Sequence, residues 1–146
     1  MSLISESDQI QLQRLFAEKL QRPVKLLMFT QERECQYCHE TRMLIEELAS
    51  LSEKLAAEVT MFEPGKGVSK RYGIDKIPAV VITADGDRPV DYGIRFFGIP
   101  SGYEFTSLIE DIFMVSLGDS GLSPATKDQL AKIDKPVHFQ VFITPT

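Results

Sequence analysis

Tryptophan is absent from the 146 residues, and cysteine and histidine occur only twice each. A structural zinc site wants four ligands, so it would have to draw on both cysteines together with His39 and His138 from separate elements, and no metal is expected. No apolar run reaches the roughly 18 residues a membrane-spanning helix needs. The start, Met1-Ser2-Leu3-Ile4-Ser5-Glu6, lacks the basic segment followed by an apolar one that marks an export signal, so a cytoplasmic location away from membranes is expected. The formal charge is −5 with acids and bases intermixed, which leaves no basic stripe for a phosphate backbone and argues against a nucleic-acid partner. Pro64-Gly65-Lys66-Gly67 lacks the spacing of a phosphate-binding loop and reads as a turn.

What is present is a chain that is 43% apolar and long enough for one domain with a real core. Its two cysteines stand at i and i+3 in Glu34-Cys35-Gln36-Tyr37-Cys38-His39. In a reducing compartment such a pair points to redox chemistry, metal binding or haem attachment. Cys35-x-x-Cys38-His39 also matches the c-type haem motif, but that reading wants an apolar helical shell and an exported chain, and neither is legible here. His39 reads as a solvent-side residue of a helix's first turn, and His138 as facing outward on a strand.

Taken in order, Ser5 or Ser7 can cap a helix running to Gln21, with Ile10, Leu12, Leu15, Phe16, Ala17 and Leu20 at helical spacing. Pro23 ends it. Val24 to Thr30 reads as a buried strand, and Gln31 to Glu34 as the loop that delivers the cysteines. From Gln36 the apolar stripe Met43, Leu44, Leu48, Leu51 and Leu55 predicts the longest helix. Residues 58–63 follow as a second strand, 68–72 as a short helix closed by Gly73, 77–83 as a third strand opening on Pro78, and 92–97 as a fourth. A helix ends near Leu117, another is expected over 124–133 with Ser123 as cap, and a last strand over 137–143. The order β-α-β-α-β-β-α predicts an α/β fold: a four-stranded mixed sheet flanked by helices.

A Cys-x-x-Cys after the first strand and an Ile-Pro opening the third are together the marks of the thioredoxin fold. Over nearly its whole length the chain resembles the protein disulfide oxidoreductases, glutaredoxin-like proteins with tandem thioredoxin-fold units, and specifically their N-terminal unit. The resemblance rests on Leu3-Ile4-Ser5, Pro23-Val24-Lys25-Leu26, Cys35-Gln36-Tyr37-Cys38, Arg71-Tyr72-Gly73-Ile74-Asp75 and Arg95-Phe96-Phe97-Gly98-Ile99-Pro100. The segment from Pro136 to Phe142 echoes that from Pro23 to Phe29, so the tail is expected to be the first strand of a second unit, whose own dithiol would lie just after Thr144-Pro145-Thr146. The expected organisation is an N-terminal helical extension over 1–22, a thioredoxin/glutaredoxin-like domain over 23–118, and a linker helix with that strand over 119–146. An apolar strand without a partner is an edge liability, so it should pair with the sheet or with a second molecule as a dimer.

The attacking species in disulfide exchange is the thiolate, and a cysteine at a helix N-terminus can have its pKa lowered into a range of roughly 3.5 to 7.5. Cys35 is therefore expected to attack, and Cys38, one turn along and more buried, to resolve the mixed disulfide. Arg33 favours the Cys35 thiolate while Glu34 and Glu40 oppose it. The resemblance implies a cis peptide at Ile77-Pro78 packed against the dithiol, with Tyr37, Ile77, Pro78 and Gly98 forming a groove that takes an extended client through Ile77 backbone groups. Thioredoxins proper carry a buried acid in the strand before the dithiol and a tryptophan preceding it. This chain has Phe29 at the first place and no tryptophan at all, which favours the glutaredoxin-like branch. The expected function is thiol-disulfide exchange with protein substrates, without a bound cofactor, and by resemblance with electrons from a thioredoxin-reductase-like flavoprotein. The alternative is a non-catalytic client-binding or dimerising module.

Overall fold

The computed structural model describes residues 1–144. Ser5 caps the first helix, its hydroxyl accepting the Asp8 N–H at 3.2 Å, and α1 runs over Glu6–Lys19. It buries Leu12 and Phe16. β1 (Val24–Thr30) follows, and α2 occupies Cys38–Ala49. β2 (Leu55–Met61), α3 (Gly67–Arg71), β3 (Ala79–Ala84) and β4 (Val90–Phe97) come next, then α4 (Tyr103–Leu117) and α5 (Pro124–Leu130). The Gly118 C-cap is left-handed at φ 67°, a conformation that closes a helix at little cost for glycine.

The strands lie in the order β2-β1-β3-β4, as a mixed sheet. β1 pairs parallel with β2, while β3 runs antiparallel to both β1 and β4. This is the thioredoxin-fold topology expected from the element order. Alternation along β1 divides the core. Val24, Leu26 and Met28 face a large cluster with Phe16 of α1, Leu44, Ile45 and Leu48 of α2, and Leu108, Ile112 and Val115 of α4. Leu27 and Phe29 face a smaller one with Ile74, Ala79 and Val81, against which Phe62, Tyr72 and Ile77 pack. Each aliphatic side chain buried in this way contributes about 1.5–3 kcal/mol. The N-terminal helix thus shares the main core instead of standing apart from it.

Several boundaries differ from expectation. The long helix ends at Ala49 rather than reaching Leu55, with Ser50 as C-cap, and Leu55 becomes the first residue of β2, opposite Val24. Leu55 stays in the core, but in a strand, because parallel pairing with Val24 of β1 captures the last residue that helical periodicity had claimed. The helix also opens at Cys38, not Gln36, so Cys35 lies ahead of the Gln36-Tyr37 turn that leads into it. Residues 137–143 join no ladder among the described residues, and Phe139, Val141 and Phe142 are 84% or more exposed. A β pattern becomes a strand only where an edge pairs with it, and here the sheet ends at β2 and β4. Pro145 and Thr146, with which the expected second unit would continue, lie outside the described residues.

Candidate active site

The loop after β1 carries the dithiol to one end of the sheet. Gln31 Nε2 donates to the Arg33 carbonyl at 2.6 Å, and Glu34 takes a left-handed φ of 56° that turns the chain into Cys35. Gln36 and Tyr37 form the turn, with Tyr37 as N-cap of α2; no side chain caps the helix there. The first-turn N–H groups are therefore open to an electron-rich sulfur near the helix start. Cys35 and Cys38 are joined by a disulfide with 5.5 Å between their Cα atoms. Cys35 is half-exposed, whereas Cys38 is only 2% exposed. The two cysteines of the pair thus differ in access to solvent.

Strand register brings the remaining predicted residues to the same end. Ala79, the first residue of β3, is flanked by Phe29 of β1 on one side and Phe97 of β4 on the other. The chain leaving β1 toward the dithiol, the Ile77-Pro78 entry into β3 and the Gly98 exit from β4 therefore converge at the carboxyl ends of β1 and β4. The Ile77-Pro78 peptide is cis. Gly98 donates its N–H to the Pro78 carbonyl at 2.9 Å and holds φ 87°, which glycine adopts without penalty. Ile77 is half-buried, Pro78 buried and Tyr37 45% exposed. Neither the N–H nor the C=O of Ile77 pairs with another backbone group among the described residues.

Phe29, paired with Ala79 across the sheet, is fully buried and meets the Tyr72 ring edge-on, 6.2 Å between centroids. The Arg95 guanidinium lies 5.7 Å from that ring and donates to the Tyr72 carbonyl at 3.2 Å. It also forks onto both Asp91 oxygens, at 2.9 and 2.7 Å. The bond from Arg95 holds the Asp91 carboxyl below its ordinary value, against the opposing effect of burial. On the rim, the Lys76 ammonium sits 4.4 Å from the Phe97 ring centroid. His39 is exposed on the first turn of α2, and His138 is exposed beyond α5.

Two features escaped the sequence reading. Thr41, polar but on the apolar face of α2, is 0% exposed; its place three residues after Cys38 was the available signal. The other is the Glu47 carboxylate, which gathers Ser2 Oγ, the Leu3 and Ile4 N–H groups at 2.8 and 3.3 Å, and Gln9 Nε2 at 2.9 Å. Pairing over more than thirty residues leaves no local pattern to find.

Known proteins resemble this chain in fold and, over part of their length, in sequence. No protein-family profile matches it. The NADH dehydrogenase of Bacillus subtilis is 31% identical over 103 residues, which are 70% of this chain and 17% of that protein. The chain thus spans only a minor part of the curated relatives it matches. Among solved structures, a mutant of the alkylhydroperoxide reductase AhpF from Enterococcus faecalis superposes with a TM-score of 0.78 and 32% identity, covering 90% of this chain and 62% of that one. A protein disulfide oxidoreductase from Aeropyrum pernix superposes at 0.71 with 26% identity, covering 88% and 54%.

Proposed function

From the premise that this chain is a thioredoxin-fold protein of the disulfide-oxidoreductase superfamily, related to AhpF, we propose that it exchanges disulfides with protein clients through Cys35 and Cys38. The observation that carries this reading is the asymmetric pair at the head of α2: half-exposed Cys35 beside buried Cys38. In client reduction the Cys35 thiolate attacks a client disulfide, forming a mixed disulfide and expelling one client sulfur as a thiolate. Cys38, deprotonated to water, then attacks Cys35 Sγ. The Cys35–Cys38 bond forms, the second client sulfur leaves and takes a proton, and the client has gained the two electrons the pair has lost.

The groove of Tyr37, Ile77, Pro78 and Gly98 would hold the client by backbone pairing, which supports a broad range of extended segments rather than one side-chain code. The names of the relatives join this type of unit to NADH and to hydroperoxide reduction. The resemblance to protein disulfide oxidoreductases supports a flavoprotein of the thioredoxin-reductase kind as electron donor, and a dithiol kept reduced for exchange suits a cytoplasmic setting. The resemblance to tandem proteins supports a place as the N-terminal, glutaredoxin-like unit. The exposed apolar side chains of residues 137–143 support pairing with an edge strand of a second copy; sedimentation that gives a monomer at every concentration would remove that part.

Insulin reduction by dithiothreitol tests the central reading. Wild type should accelerate the reaction and Cys35→Ser should abolish the acceleration. Equal rates would leave only the client-binding or dimerising module.

A further inference from the structure

Thr41 carries an unanswered polar group. The face of α2 turned inward holds Cys38, Thr41, Leu44, Ile45 and Leu48. A helical threonine ordinarily places its hydroxyl on a carbonyl one turn back. Here the Tyr37 carbonyl accepts the Thr41 N–H at 3.0 Å, and Thr41 Oγ1 has no hydrogen-bond partner among the described residues. The two serine hydroxyls buried as deeply are satisfied: Ser69 Oγ accepts from the Glu63 N–H, and Ser116 Oγ bridges Gln21 and Arg22. A buried hydroxyl without a partner costs about 1–3 kcal/mol, so its presence points to a second state in which the bond is made.

Reduction of the disulfide supplies that state. Cys38 lies three residues before Thr41 on the same face, and side chains so spaced on a helix are neighbours. While Cys38 Sγ is bonded to Cys35 it is a poor acceptor. Once reduced it is a sulfur free to accept a hydrogen bond, and to attack the mixed disulfide it must carry negative charge at a position that is 2% exposed. The buried polar side chains among the described residues are all hydroxyls, so no buried carboxylate or ammonium assists. Burial disfavours a thiolate, and a hydrogen bond donated to it offsets that penalty.

We propose that the Thr41 hydroxyl donates to Cys38 Sγ in the dithiol and holds its charge until it attacks the mixed disulfide. This deepens the exchange mechanism proposed above and rests on it. In the resolving step the Cys38 proton has gone to water, the thiolate electron pair forms the bond to Cys35 Sγ, and the Cys35–client bond breaks. The client sulfur departs with the electron pair and takes a proton from water. Thr41 keeps its own proton and loses its acceptor as the disulfide closes.

The test compares Thr41→Val, which keeps the branched shape without the hydroxyl, with Thr41→Ser, which keeps the hydroxyl. Equilibrated against glutathione, Thr41→Val should shift about tenfold toward the disulfide, equivalent to a potential about 30 mV lower. Its resolution of a preformed mixed disulfide should slow about tenfold, with the pH profile displaced upward, and Thr41→Ser should stay near wild type. Should the valine variant not fold, Thr41→Ala gives the same comparison. Wild-type potential, pH profile and resolution rate in the hydroxyl-free variant overturn the inference, as does a serine variant displaced as far as valine. Should wild type fail to reduce insulin, the functional reading falls, while the glutathione equilibrium, which needs no protein client, still decides whether Thr41 bonds the reduced sulfur.

Discussion

Replacing Ser116 by alanine deletes a single oxygen and strands two backbone groups on another element. Ser116, in the last turn of α4, is 0% exposed; its hydroxyl accepts the Gln21 N–H at 2.8 Å and donates to the Arg22 carbonyl at 2.8 Å. The Arg22 N–H returns to the Ser116 carbonyl at 3.3 Å. This stitch anchors the linker between α1 and β1 to α4. Each backbone group left unpaired costs about 1–3 kcal/mol when fully buried. Gln21 and Arg22 are exposed residues, so water can reach part of the vacated linker, and the low end of that range, about 1 kcal/mol, applies to each group. The expected loss is about 2 kcal/mol, or about 4–8 °C in Tm for a chain of this size. Urea unfolding followed by far-UV circular dichroism measures it, since no tryptophan is present to report by fluorescence. Ser50→Ala is the control: its hydroxyl bonds the Glu47 carbonyl at 2.6 Å on an exposed turn, and deletion there should cost less than about 0.5 kcal/mol. Insulin reduction at 25 °C should be unchanged in Ser116→Ala, because the stitch and the dithiol lie at opposite ends of β1. A midpoint no lower than that of Ser50→Ala would refute the argument that the buried hydroxyl, rather than packing around it, holds the linker.

The Glu47 clasp should make stability depend on acid. Burial pushes the Glu47 carboxyl up, but the bonds from Ser2, Leu3, Ile4 and Gln9 outweigh it and leave the group below its ordinary 4.5. Its contribution is therefore present above that value and lost as pH falls through the depressed one. Glu47→Gln should lower stability by about 1 kcal/mol at neutral pH and flatten this acid limb; parallel acid titrations of variant and wild type would count against the clasp. Gly98→Ala should lower stability by about 1–2 kcal/mol through its φ of 87° alone, since an added Cβ meets nothing within 4 Å. If Gly98 also shapes the client groove, insulin KM should rise more than kcat falls, and unchanged kinetics would separate that residue from binding.

Much of the fold was legible because it is local. The β-branched and aromatic run of Val24–Thr30 matched the observed strand end to end, and Ser5 capped α1 as its hydroxyl chemistry predicts. Where expectation failed, a distant partner had overridden a local period. Leu55 continues the helical stripe of α2 in sequence but is taken by pairing with Val24. Residues 137–143 have the composition of a strand and no ladder among the described residues, because pairing needs an edge as well as a pattern. At the candidate site the cysteine pair stood out by residue type and spacing, whereas Ile77-Pro78 and Gly98 were proposed only through the family resemblance, because no local pattern ties them to a dithiol some forty to sixty residues away.

The amino-acid order by itself thus determined that a dithiol sits where a strand hands over to a helix, and that a proline opens the third strand. Residue type and spacing settle such matters, since hydrogen bonds within a turn or along a strand act over a few positions. Only the tertiary structure decided that β1, β3 and β4 bring Phe29, Ala79 and Phe97 side by side, so that the dithiol loop, Pro78 and Gly98 meet at one end of the sheet. The greater burial of Cys38 was expected from its place one turn along, but only the tertiary structure decided that Cys35 is half-exposed and that Thr41 is buried as fully as Cys38. Burial belongs to what packs against a residue, and for these three that depends on strands and helices far along the chain.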